Sequence, residues 1–286
     1  MATATVPGTG PAAEPAADDV YALGSNPAES ARLQRQSDEL RPQAAELLAR
    51  IGLEPGQSAI DLGCGPSGIL ELLSAAVSPG GRVVGLDADP AHTAMARQYV
   101  IQRGLDNVEV VTADARHTGL PPGIFDLVHA RTLLVNIPDP AAVVAEMVRL
   151  ARPGGWVASQ EPDAEHAVCY PPLPAWDRLR EIFSVSIDRL GADLRVGRRL
   201  PELFRQAGLA DVEVVVHAPT HPAGHSRRTL LPDLVRSMRP RILELGLSDG
   251  QELAGLDRAV RDHLADPRTL TVPHLLVVAW GRKPPA

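Results

Sequence analysis

Aromatic side chains are scarce in this chain. Three Trp, three Tyr and three Phe among 286 residues leave the core to Leu, Val, Ile and Ala, so an aromatic beside a site stands out. Lysine is nearly absent as well: Lys283 is the single one, and the other basic residues are Arg. That bias points to genomic base composition, not to a recognition surface. A net charge of −7 and a pI near 5.7 speak against a nucleic-acid partner, which shows as a basic face. Cys64 and Cys169 are the only cysteines. Two do not make a disulfide framework, and the usage suits a reducing cytosol. No apolar run approaches the ~20 residues of a membrane span. No basic segment leads into an apolar stretch at the N-terminus, so no signal peptide is read and a cytoplasmic location is expected. The G-x-S-x-G elbow and the Walker A lysine are both missing.

What is present is organised around Ser58–Gly68, which reads Ser-Ala-Ile-Asp-Leu-Gly-Cys-Gly-Pro-Ser-Gly. Ala59, Ile60 and Leu62 form a short apolar run that suits a buried parallel strand. Gly63, Gly65 and Gly68 follow. Pro66 suits the first turn of a helix, and Ile69, Leu70, Leu72 and Leu73 supply its apolar face. The glycines spell G-x-G-x-x-G, and Asp87 stands about 20 residues on, where that fingerprint places a ribose-binding acid. The pattern alone does not separate a nicotinamide cofactor from another nucleoside cofactor. Asp61 helps. A carboxylate at the mouth of the turn repels a pyrophosphate and attracts a cofactor with an amino group and a sulfonium. Cys64 sits where the turn needs a small residue and is not expected to be a nucleophile.

A hydrophobic content of 44% supports a buried core, and the length allows one large domain or one domain with a cap. Residues 1–18, mostly Ala, Pro, Thr and Gly, read as a disordered tail. Residues 19–55 read as a helical cap, with helix over 28–50 that Pro42 kinks or splits. Residues 56–161 form the core. Strands at 83–86, 108–112, 125–130 and 156–159 alternate with helices at 90–103 and 140–150. Residues 162–196 interrupt the alternation as a lid, with a helix over 176–190. Residues 197–286 return to the core: a helix at 197–207, a strand at 212–216, two helices around 231–245 and 248–264, and a last strand at 274–280. The fold class is α/β, since repeated strand–helix units imply a parallel, doubly wound sheet. Ligands of such sheets bind beyond the carboxyl ends of the strands. Asp61, Asp87, Asp114, His129–Arg131 and Glu161–Asp163 all fall there.

The run Asp61-x-Gly63-x-Gly65 resembles the first motif of the class I S-adenosylmethionine methyltransferases. Tyr21-x-x-Gly24, followed by Glu29-x-x-Arg32-Leu33-x-x-Gln36, resembles the N-terminal cap of their UbiE-like small-molecule branch. The resemblance covers about residues 21–208 and the last strand. It implies a Rossmann-like, mostly parallel seven-stranded sheet whose last strand is antiparallel, and S-adenosylmethionine as cofactor. The implied reaction is methyl transfer by in-line displacement to an O, N or C atom of a bulky, largely apolar small molecule, for instance an aromatic or indole secondary metabolite. Implied cofactor contacts come from Tyr21, Arg32, Gln36, Asp61, Gly63, Gly65, Asp87, Ala88, Asp114, Ala115, Ala130 and Arg131. Among these, Asp87 takes the ribose hydroxyls. Asp114 and the Ala115 N–H take the adenine. Tyr21, Arg32 and Gln36 reach the methionine carboxylate or the substrate.

His166 is the first candidate for the base that deprotonates the acceptor and Glu161 the second, with Tyr21 also a candidate catalytic residue. His129, beside an apolar strand, reads as a packed core residue. Glu161, Asp163 and His166 are a thin set for a divalent ion, so no metal is expected. His217, His221 and His225 match no compact zinc spacing and read as solvated. The lid holds Tyr170, Trp176 and Phe183, a large share of the aromatics. Two other classes stay open: an NAD(P)-dependent oxidoreductase sharing the glycine pattern, and a non-catalytic S-adenosylmethionine-binding regulator. The expected partner is a small-molecule substrate, with no nucleic acid and no membrane; a homodimer stays open.

Overall fold

Pro42 divides the first helical stretch. In a computed structural model, which describes residues 27–285, α1 (Pro27–Glu39) ends just before Leu40. The next helix, α2 (Arg41–Ile51), restarts with Pro42 in its first turn, where a missing N–H costs nothing. Gly52 closes α2 in the left-handed conformation. The N-terminal tail and the Tyr21-x-x-Gly24 motif lie outside the described residues.

The alternation follows: β1 (Ser58–Leu62), α3 (Leu70–Val77), β2 (Arg82–Asp87), α4 (Pro90–Arg103), β3 (Val108–Thr112), β4 (Phe125–Arg131), α5 (Pro140–Leu150) and β5 (Ala151–Asp163). Pro90 and Pro140 each open a helix behind an Asp cap, Asp89 and Asp139. β5 is longer than its apolar run because a register irregularity opposite Phe125–Leu127 absorbs residues 152–155. The rest of the chain forms β6 (Val168–Tyr170), α6 (Pro174–Arg189), α7 (Val196–Gln206), β7 (Ala210–His217), α8 (Leu230–Ser237), α9 (Arg239–Glu244), α10 (Gly250–Ala265), β8 (Leu270–Val272) and β9 (Leu275–Arg282).

Seven strands make one sheet in the order β3-β2-β1-β4-β5-β9-β7. The first five are parallel, and β9 runs antiparallel to both of its neighbours. The order reverses between β1 and β4, so a crevice opens at their carboxyl ends. Side chains of α2, α3 and α4, among them Leu47, Leu70 and Leu73, cover one face. Side chains of α5 and α7, among them Met147, Leu200 and Phe204, cover the other.

Chain order suggests two separate insertions, a lid and a later helical segment. They pack as one. Trp176, Leu179, Ile182 and Phe183 of α6 share a core with Val235, Ile242 and Val260 of α8, α9 and α10. The expected helix over 231–245 breaks at Met238, because Pro240 starts a new one. β6 and β8 pair into a small antiparallel ribbon. Three-residue strands carry no readable periodicity, so the sequence does not announce it. Among the described residues no helix is long and apolar enough to cross a membrane.

Candidate active site

Asp61 does not point its charge out of the glycine turn. It is 2% exposed. Its Oδ1 shares a 2.7 Å hydrogen bond with His129 Nδ1, and its Oδ2 accepts the Ile69 N–H at 2.9 Å. Asp61 thus braces the turn from beneath while still lining the crevice. Its charge, set against the Ile69 amide at the start of α3, disfavours a pyrophosphate there. Gly68 has φ +49°, and a Cβ there would lie 2.1 Å from Asp61 Oδ2, so only glycine fits. Pro66 lies in the turn ahead of α3 and not in its first turn. His129 is fully buried, as a core residue would be. Cys64 is also buried, and burial, together with Asp87 and Asp61, pushes its thiol well above the usual range.

Asp87 steadies the same turn from the neighbouring strand. Its Oδ2 accepts the Gly65 N–H at 2.8 Å and its Oδ1 the Asp89 N–H at 2.9 Å. Each carboxylate oxygen has a second lone pair, which leaves room for vicinal hydroxyls. Asp114, at the end of β3, is half-exposed and paired with Arg116, Nη2 to Oδ2 at 2.6 Å. Ala88 is exposed. Ala115 and Ala130 are buried, so only their backbones can meet a ligand.

The cap docks on the turn through a network the sequence reading leaves out. Arg131 Nη2 donates to Ser37 Oγ at 2.8 Å and to Gly68 O at 3.2 Å, and Ser37 Oγ donates to Gly68 O at 2.5 Å. Burial lowers the Arg131 pKa to about 10, so it stays cationic at neutral pH. Its Nη1 is buried with no hydrogen-bond partner among the described residues. Arg32 Nη1 donates to Gln36 Oε1 at 2.7 Å, and Gln36 Nε2 donates to Thr132 Oγ1 at 3.2 Å. Thr132 holds φ +51°. A β-branched residue in that region stores strain, and such strain collects at ligand sites. Nothing in its sequence neighbourhood signals this. Tyr21 lies outside the described residues.

A second cavity, about 420 Å³ in volume, lies between the cap, the end of β4 and the α6–α10 module. Its wall is largely apolar, with Leu33, Val135, Trp176, Phe183 and Leu231. Leu33, Gln36 and Thr132 border both this cavity and the crevice at the glycine turn.

Neither leading base candidate borders the cavity. His166 is exposed in the turn between β5 and β6. Glu161 is wholly buried on β5. Its oxygens accept the N–H groups of Leu133, Leu134 and Val135 at 3.0, 3.0 and 3.2 Å, so it caps the 3-10 turn over Leu134–Asn136. One feature places both: β5 extends to Asp163, which carries Glu161 into the sheet and delivers His166 to the surface. Asp163 is tied to Arg198 at 2.6 and 2.7 Å. Among the described residues no group of three His, Cys, Asp or Glu side chains is placed to hold a metal ion. Tyr170 is exposed on β6, away from the cavity that Trp176 and Phe183 border.

Comparisons with known proteins bear on the family and the fold. Residues 60–159 match a family model described as a methyltransferase domain. The chain is 31% identical over 181 residues to a demethylmenaquinone methyltransferase of Geobacillus kaustophilus, covering 59% of this chain and 77% of that protein. It is 40% identical over 129 residues to a trans-aconitate 2-methyltransferase of Methylobacterium radiotolerans, covering 45% of this chain and 47% of that protein. The chain spans about half the length of several curated relatives it matches. In fold it is similar to a phosphoethanolamine N-methyltransferase 2 of Haemonchus contortus solved with S-adenosyl-L-methionine. That match has a TM-score of 0.56 at 20% identity, over 86% of this chain and 53% of the other.

Proposed function

Because the chain belongs to the class I S-adenosylmethionine-dependent methyltransferase family, we propose that it moves a methyl group from that cofactor to an O, N or C atom of a bulky, largely apolar small molecule. The observation that carries this reading is the shared border at Leu33, Gln36 and Thr132. A donor in the crevice and an acceptor in the cavity meet there, in line and away from water. Arg131 Nη1 and Arg32 take the methionine carboxylate in this reading, and Asp87 takes the ribose. Asp114 and the Ala115 N–H take the adenine, Asp114 turning from Arg116 to do so.

Trp176 and Phe183 in the wall support an aromatic or indole acceptor. A sulfonium methyl is already activated, so alignment does most of the work. Glu165 borders the cavity but is paired with Arg198. His274 also borders it, and burial pulls its pKa down to about 3. Neither is poised to take a proton.

Calorimetry with S-adenosylhomocysteine and with NAD(P), together with methyl transfer from labelled S-adenosylmethionine to phenols, indoles and aryl amines, tests the reading. Binding of the first ligand only, with labelled product from an aromatic acceptor, is expected. Response to NAD(P) alone would sink it. Cofactor binding without product from any acceptor would point instead to a non-catalytic regulator.

A further inference from the structure

Arg227 and Arg228 are sequence neighbours, and each is 4% exposed. They are used in opposite ways. Arg228 spends its guanidinium on four backbone carbonyls: Leu264 at 2.9 Å, His221 at 3.0 Å, Asp266 at 3.1 Å and Thr269 at 2.9 Å. Arg227 borders the apolar cavity. Its side chain donates no hydrogen bond to any described residue. Its one ion-pair contact among them is Nε to Glu39 Oε2 at 3.4 Å, and Glu39 is shared with the Ser226 hydroxyl.

A guanidinium has five N–H donors and does not lose its charge inside a protein. Donors of a nearly buried guanidinium that border an open cavity are available there to water or to a ligand. His274 borders the same cavity and is close enough to Arg227 to feel its charge. It too makes no side-chain hydrogen bond with a described residue. Of the three exposed acids on the cavity border, Glu165 is paired with Arg198 and Glu181 with Arg178, while Asp177, in the first turn of α6, has no ion-pair partner among the described residues. All three acids lie on the exposed part of the border, so the charge at the buried polar end is that of Arg227, with Glu39 beside it, in a wall that is otherwise mostly apolar.

We propose that Arg227 anchors a carboxylate on the methyl acceptor, with the His274 imidazole beside it and the apolar wall holding the carbon skeleton. This rests on the reading of the cavity as the acceptor site. A carboxylate matches the planar guanidinium fork with two parallel hydrogen bonds. One guanidinium with Glu39 already beside it suits a monoanion better than a doubly charged phosphate.

Calorimetry of the full chain with 4-phenylbutanoate and with 4-phenylbutanamide, each with and without S-adenosylhomocysteine, reads the anchor directly. The two probes share one apolar body, so the amide controls for the cavity. The acid should bind on the order of ten-fold tighter. Arg227→Gln should erase that preference and leave the affinity for S-adenosylhomocysteine in place, and Arg227→Lys should restore part of it. Equal affinity of the two probes for the unaltered protein overturns the proposal. So does binding of neither probe, or a preference that survives in Arg227→Gln. If Arg227→Gln fails to fold, the comparison on the unaltered protein and the Arg227→Lys arm still decide. Failure of S-adenosylhomocysteine to bind would sink the methyltransferase reading alone, because the acid–amide comparison without it still reports on Arg227.

Discussion

Glu161 holds three backbone amides in a site with no access to water. Burial pushes its pKa up to about 7, against the pull of those amides in the other direction. Its task is to fix the 3-10 turn that presents Thr132 and Val135 to the cavity. Glu161→Gln keeps the shape and most of the accepting capacity. Under the proposed activity, turnover should stay within about three-fold of the unaltered protein. Glu161→Ala should cost roughly 1–3 kcal/mol for each amide left unpaired, read by thermal or urea melts. Collapse of turnover in a well-folded Glu161→Gln protein would return this residue to the chemistry. Arg131 is similar in kind: its position at the end of β4 is legible in the sequence. Its grip on Ser37 and Gly68 is not, because Ser37 is 94 residues away along the chain.

Among the elements, Arg228 ties the loop at 221–229 to three carbonyls at and just beyond the end of α10, and to the His221 carbonyl of the loop itself. Those carbonyls are buried or half-buried, so removing the guanidinium leaves several acceptors unpaired. Arg228→Ala should lower stability by about 3 kcal/mol. Arg228→Lys should rescue little, since one ammonium cannot span a planar four-carbonyl site. Urea denaturation measures both, and a loss under about 1 kcal/mol for the alanine variant would mean that packing holds the loop without it. The contrast with Arg227 is an element-scale effect. The short helical turn over Ser226–Thr229 sends the first arginine to the cavity and the next inward to the backbone.

At the scale of the molecule, His274 ties stability to pH. It is buried where β8 leads into β9, and burial, helped by Arg227 and His221, lowers its pKa from 6.5 to about 3. The unfolded chain takes up this proton more readily than the folded one. The contribution is therefore complete above about pH 6.5 and is lost as pH falls toward 3. Between those values the slope from this one group approaches about 1.4 kcal/mol per pH unit. Urea melts at several pH values should show a shallower acid slope for His274→Gln than for the unaltered protein. Equal slopes would show that His274 is not held neutral in the folded state.

The alternation of strands and helices, the split at Pro42, the glycine turn and the acids at the strand ends were determined by the sequence itself. Each is a local signal: a period of two or 3.6, a proline that removes a donor, a glycine that alone accepts positive φ. Tertiary structure alone decided that residues 162–196 and the helices beyond residue 218 share one core, since their contacts join segments far apart in the chain. It alone decided that Asp61 faces inward to His129, that Glu161 is buried within the sheet and that His166 stands at the surface. It also separated Arg227 from Arg228, two identical side chains side by side. Long-range packing sets which donors find a backbone partner and which are left facing a cavity, and no local pattern encodes that choice.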